Sequence, residues 1–232
     1  MIHKGCQSIY TAAGEVVFAG EWDPKAILDV LNIGNVATSW KAKRVLDIGA
    51  NTAGLSIELA RLGAQVVAVE PDPYANTLKR AQPIVNELIR EEGLDLTIQM
   101  AELFDVHDFG TFDTVLCLGL VYHFRYPQHV LDYLSTLEIK HLFISTQTHF
   151  GNELALFNRR DPSILRPDFL NRDVVLTGWH PTRALFEKML VWAGFDDVIS
   201  LTDPSINFPK KPFPNLTNSA YYRATKVAST DL

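Results

Sequence analysis

Residues 45–54 read Val-Leu-Asp-Ile-Gly-Ala-Asn-Thr-Ala-Gly, an apolar run that breaks into a turn able to hold a ligand against its backbone. Gly49 lets the main chain come close to a ligand. Asn51 tolerates a left-handed conformation better than other non-glycine residues, and Ala53-Gly54 reads as a displaced helix start. Glu70 closes the next apolar run, where a carboxylate can accept two hydrogen bonds from ribose hydroxyls. Three histidines stand where further segments end or begin: His123 in Tyr122-His123-Phe124, His149 before Phe150, and His180 after Trp179. Imidazole titrates near neutrality and can take a proton from a hydroxyl nucleophile. His123 is the first candidate for a catalytic base; His149 and His180 are the alternatives, and each of these also reads as a binding or capping residue. Phe150 and Trp179 fit an aromatic wall for a planar or sugar-like acceptor. Trp22 fits either a cover over the ligand or ordinary packing, and Arg159, Arg160 and Arg166 either hold an anionic acceptor or face solvent.

The turn alone leaves the ligand open. Gly49-x-Asn51-x-x-Gly54 with Glu70 downstream is a partial match to the dinucleotide fingerprint and fits a nicotinamide enzyme. Asp47 breaks the tie. A carboxylate two residues before the first glycine is awkward beside a pyrophosphate, and it suits a ligand with a cationic amine and no phosphate, such as the methionine portion of S-adenosylmethionine. Asp47, Gly49, Asn51, Glu70 and Pro71 are therefore expected to bind that cofactor.

Alternating elements must carry these residues. Asp23-Pro24 opens a helix that Gly34 stops, with Asp23 as the cap and Pro24 at the first helical position. "KRVLDIG", "AQVVAVEP", "LDLTIQM", "FDTVLCLG" and "KHLFISTQ" read as strands, with "FDDVISL" and "SAYYRATKV" as two more. Helices fall between them, including one over 74–91 that Pro83 should kink or split. Strands alternating with helices imply an α/β, Rossmann-like, doubly wound and mostly parallel seven-stranded sheet, with helices on both faces and a late antiparallel strand. Ligands bind beyond the carboxyl ends of such strands, where the order reverses. Residues 1–40 are expected to be a helical lead-in to a single domain spanning 1–232. Residues 148–178 show little periodicity and read as an insertion or lid.

Composition narrows the partners. The chain of 232 residues is 47% hydrophobic and 21% charged, with a net charge of −6 and its basic residues scattered. Short clusters such as Lys210-Lys211 make no basic face, which argues against a nucleic-acid partner, since such proteins usually carry one. No apolar run reaches membrane-spanning length and no signal peptide is recognised. Cys6 and Cys117 form neither a disulfide framework nor a metal site, and a reducing cytoplasm is the simplest home. The composition leaves the oligomeric state open.

"VLDIGANTAG", "VVAVEPDP" and "FDTVLCLGLVYHF" at these spacings resemble class I S-adenosylmethionine-dependent methyltransferases, over roughly residues 40–200. "DIGAN" with "EPDP" is similar to FkbM-type O-methyltransferases. "LGLVYHFRYPQHVLDYL" and "TGWHPTRALFEKMLVWAGF" look more like the branch holding tRNA wobble-uridine methyl- and carboxymethyltransferases and many small-molecule enzymes. The resemblance implies S-adenosylmethionine as cofactor and a small-molecule acceptor, methylated on a hydroxyl. The alternatives are an RNA acceptor and a non-catalytic partner subunit that binds the cofactor. It puts Glu102, or a backbone carbonyl, where relatives often carry an aspartate for the adenine amine, and Leu118 and Tyr122 on the cofactor wall. Asn51 and Ala53 depart from the family by replacing two glycines.

Overall fold

The computed structural model describes residues 2–34, 39–71, 76–167, 173–202 and 219–226. Four short strands come first: β1 (His3–Gln7), β2 (Ile9–Tyr10), β3 (Val16–Phe18) and β4 (Gly20–Trp22). The alternating core follows as α1 (Pro24–Gly34), β5 (Arg44–Ile48), α2 (Gly54–Arg61), β6 (Gln65–Glu70), α3 (Asn76–Glu92), β7 (Leu96–Met100), β8 (Phe112–Leu118), α4 (Pro127–Thr136) and β9 (Ile139–Gln147). A hairpin of β10 (Leu156–Pro167) and β11 (Asp173–Pro181) leads into α5 (Arg183–Trp192), β12 (Asp197–Ser200) and β13 (Ser219–Thr225).

The central sheet has seven strands in the order β12-β13-β9-β8-β5-β6-β7. β13 runs antiparallel to both β9 and β12, while β9, β8, β5, β6 and β7 pair in parallel. Central strands buried on both faces need near-continuous apolar runs. Val45-Leu46, Val115-Leu116-Cys117 and Leu142-Phe143-Ile144 supply them, all at 2% exposure or less. One apolar cluster packs residues of α1, α2 and α3 on one face; the other packs α4 and α5 on the opposite face, where Phe186 lies against Tyr222. The chain winds outward from β5 through β6 to β7, then returns to β8 on the other side. The strand order therefore reverses between β5 and β8, and a crevice opens at their carboxyl ends.

Three local expectations change. The lead-in is strands before helix: β2 pairs antiparallel with β3, and β1 runs parallel to β4. These segments carry Gly5, Gly14 and Gly20 and too little apolar repetition to announce themselves. Pro83 sits inside α3, which neither splits nor stops there; the first two residues of the helix expected at 74–91 lie outside the described residues. Much of 148–178 is paired backbone, with Leu156↔Pro181 and Arg166↔Val174 in register. The pairing is irregular between Arg160 and Leu165. A shifted register erases strict alternation, the signal by which a strand is read from sequence.

Candidate active site

The turn after β5 is built on left-handed residues: φ is +76° at Gly49, +60° at Asn51 and +62° at Ala53. Gly49 N and Ala50 N both donate to Val69 O, at 2.8 and 3.0 Å, which ties the turn to β6. Asn51 N donates to Glu70 Oε2 at 2.9 Å. Asn51 holds its left-handed backbone with a side chain in use on both ends. Its Oδ1 accepts from Gln7 N at 3.0 Å and from Thr52 N at 3.0 Å, and its Nδ2 donates to Gly5 O at 2.9 Å. Gly54 opens α2 where the chain lead-in crosses it, and a Cβ there would stand 2.3 Å from Ser8 O.

A cavity of about 580 Å³ runs along this edge. Gly49, Asn51, Glu70, Pro71, Glu102, Leu118, Tyr122 and His123, all candidates in the sequence, line it. Trp22 of β4 lines it too. Sequence reasoning missed Gly5 and Gln7 from β1, and Ser145, Thr146, Gln147 and Ser219 where β9 ends and β13 begins. For Ser145, Thr146 and Gln147 the switch from an apolar run to three consecutive polar residues at the end of "KHLFISTQ" was the available signal. For Gly5 and Gln7 none exists, because only the tertiary crossing brings β1 to the turn.

Other expected residues stand elsewhere. Asp47 does not line the cavity. Its side chain is 3% exposed and accepts from Ser56 Oγ at 2.6 Å beneath the turn. Burial pushes its carboxyl up to about 6, against the opposing Ser56 hydrogen bond. In strand β5 the residue's alternation is set by the sheet, so the side chain faces α2 rather than the ligand edge. His149 is exposed at the end of β9, stacked on Phe157 at 3.8 Å, with Nδ1 2.8 Å from Phe150 O. Phe150 is 73% exposed. Trp179 and His180 lie on β11, outside the cavity wall; the His180 ring meets the Tyr122 ring edge-on at 6.0 Å. Thr182, not His180, caps α5, accepting from Leu185 N. The side chains of Arg159, Arg160 and Arg166, and all of Lys210-Lys211, lie outside the described residues.

Among the described residues two carboxyls, Glu70 and Glu102, line the cavity. Burial pushes Glu70 up to about 7; the Asn51 N–H opposes this and the nearby Asp47 charge adds to it. Burial, with Asp105, also raises Glu102. Farther along, Gly119 N donates to Ser145 Oγ at 2.9 Å, and the buried Tyr221 phenol reaches the same serine. Burial holds that phenol neutral by raising its pKa well above the usual value. The following turn at Val121–His123 holds the Tyr122 and His123 rings 4.2 Å apart. Among the described residues no three His, Cys, Asp or Glu side chains gather as a metal site. No described helix is long and apolar enough to cross a membrane.

Residues 46–137 match a family profile described as a methyltransferase domain. A ubiquinone biosynthesis O-methyltransferase of Xanthomonas euvesicatoria pv. vesicatoria (strain 85-10) is 33% identical over 96 residues, which are 40% of this chain and 38% of that relative's own length. Its counterpart in Xanthomonas oryzae pv. oryzae (strain PXO99A) is 31% identical over 88 residues, 38% of this chain and 35% of that protein. Among solved structures, the N-terminal domain of EvdMO1 with S-adenosylhomocysteine (SAH) and D-fucose superposes with a TM-score of 0.66, at 19% identity over 96% of this chain and 92% of that one. Magnesium protoporphyrin IX methyltransferase from Synechocystis PCC 6803, with bound S-adenosylmethionine, gives 0.57 at 19% identity over 88% of this chain and 78% of that one. The chain shares its fold with these two structures.

Proposed function

We propose that this chain is a class I methyltransferase that moves a methyl group from S-adenosylmethionine to a hydroxyl of a small molecule. The observation that carries the reading is the cavity edge itself. A left-handed turn, an acidic residue at the next strand end and the Leu118–Phe124 turn line one continuous cleft. The matched methyltransferase profile over that same stretch supports it. The residues present fit the cofactor. Glu70 has one oxygen engaged by Asn51 N–H and retains acceptor capacity for a ribose diol. Glu102 lies beside it for the adenine amine, and Gly49 exposes backbone where the methionine part would pass.

When bound, S-adenosylmethionine supplies a methyl on a good sulfonium leaving group. The chain then has to orient the acceptor, exclude water and receive a proton. Tyr122 and Trp22 wall the cleft against water. In this reading His123, which lines the same cleft, accepts the hydroxyl proton, and Ser145, Gln147 and Ser219, from the β9 and β13 side, offer hydrogen bonds to the acceptor.

The named activity of the ubiquinone-pathway relatives favours a small-molecule acceptor over the RNA acceptor of the wobble-uridine branch. Calorimetry with SAH, NAD and a tRNA pool, followed by acceptor screening with labelled methyl donor, tests the reading. Binding of SAH alone and label in a small molecule is the expected result. Tight tRNA binding with a steep salt dependence would move the assignment to RNA. SAH binding without turnover on any acceptor would favour a non-catalytic subunit.

A further inference from the structure

The lead-in touches the turn after β5 through a set of four hydrogen bonds. Asn51 holds β1 from both sides, through Gln7 N and Gly5 O. Thr52 Oγ1 donates to Gln7 O at 2.8 Å. The Gln7 side chain turns inward, where its Oε1 accepts from Leu55 N at 2.8 Å, one of the amides that the first turn of α2 leaves without a helical partner. Gly54 keeps this approach possible, since any side chain there would strike Ser8. Gly5, Gln7 and Trp22 line the same cavity as Glu70. The other end of the lead-in is fixed separately: Arg61 donates to Tyr10 O while paired with Glu58 and Glu92.

From this geometry we infer that Gln7, Asn51 and Thr52 are positioning residues for cofactor binding, forming a latch that seats β1 on the turn and thereby holds the Asn51 N–H against Glu70. The inference rests on the cofactor reading above. It also gives a reason for asparagine where the family carries glycine. A glycine would adopt the same φ but leave β1 unattached, whereas the asparagine amide pairs with the strand as another peptide group would. The latch acts through Glu70. A seated turn keeps the Asn51 amide on the carboxylate, and a loosened one removes a group that favours its charged form.

The test is SAH calorimetry on the full chain, across a pH range bracketing 7, with thermal unfolding as a control. Asn51→Gly keeps the left-handed backbone, and Gln7→Ala keeps the strand. Each should weaken SAH binding by roughly tenfold, the scale of one or two lost hydrogen bonds. Thr52→Val is nearly isosteric and Thr52 does not line the cavity, so a several-fold loss there isolates the latch from direct contact. The double variant Gln7→Ala with Asn51→Gly should bind no worse than the weaker single, since both open one latch. In Asn51→Gly the pH midpoint of SAH binding should move upward, which a purely structural loss would not cause. Wild-type affinity and midpoint in Asn51→Gly and Thr52→Val, with the fold intact, would overturn the latch. Failure of the wild-type chain to bind SAH would instead overturn the cofactor reading beneath it.

Discussion

A carboxyl pushed up to about 7 is half protonated at neutral pH, and a protonated Glu70 loses the charge-assisted hydrogen bonds it would offer a ribose diol. SAH affinity should therefore fall as pH drops through 7, by up to about tenfold per unit. Glu70→Gln should flatten that dependence and weaken binding at high pH by about 1.5–3 kcal/mol. Asp47→Asn should move the midpoint downward, because it removes the neighbouring charge that helps keep Glu70 protonated while Ser56 keeps its partner. Calorimetry at several pH values reads all three. His123 carries a different expectation. If it is the base, His123→Ala should lower kcat by about 10²–10⁴-fold with SAH affinity nearly unchanged. His149→Ala is the control: that ring is exposed, away from the cavity wall, and its loss should leave kcat near wild type. Equal losses in both variants would remove His123 from the role.

Among the elements, the β10–β11 hairpin lies against the turn that carries Tyr122, through β11 and the His180 ring. We expect it to cover the acceptor end of the cleft and to gain amide protection when SAH and acceptor are both bound. Hydrogen exchange on the free and ligated chain checks this, and equal protection in all states would count against it. The core strands were legible in the sequence because burial on both faces demands runs such as Val66–Val69 and Val115–Cys117, which few other structures tolerate. The helix at Pro24 was legible through its cap, which the structure bears out with Lys25 N donating to Asp23 Oδ1 at 3.0 Å. The lead-in strands and the hairpin were not, since they are short or irregularly paired and lie outside the central sheet. The cavity divides in the same way. Glu70 and His123 sit at strand ends that periodicity locates, whereas Gln7 reaches the cavity only through a crossing of distant segments. Asp47 shows the limit of reading type without direction: its carboxylate bonds Ser56 and does not line the cavity.

Across the molecule, two pairs of shifted carboxyls have opposite effects on stability. Asp47 and Glu70 are raised by burial to about 6 and about 7, so the folded chain binds more protons than the unfolded one between their ordinary values and these. Stability from them is greatest at acidic pH and is lost as pH rises toward 7. Glu92 and Asp113 are lowered, by Arg61 and Lys140 respectively, and their contribution is lost only in stronger acid. Denaturant titrations of the ligand-free chain should therefore find maximal stability at mildly acidic pH, and Asp47→Asn should flatten the decline toward neutrality. The place of β13 bears on synthesis. β12 leaves the ribosome before β13, yet among the described residues β12 pairs only with β13, and β13 pairs with β9. Until β13 arrives, the outer edge of β9 is an open row of backbone donors and acceptors, a template for pairing with another chain. A nascent or truncated chain ending before Ser219 should thus self-associate, and pulse-labelled refolding should protect the β12 amides last. For these two strands the order in which the polypeptide is made runs against the order in which its sheet is closed, so the arrival of β13 is the step that ends exposure of the β9 edge to misassembly.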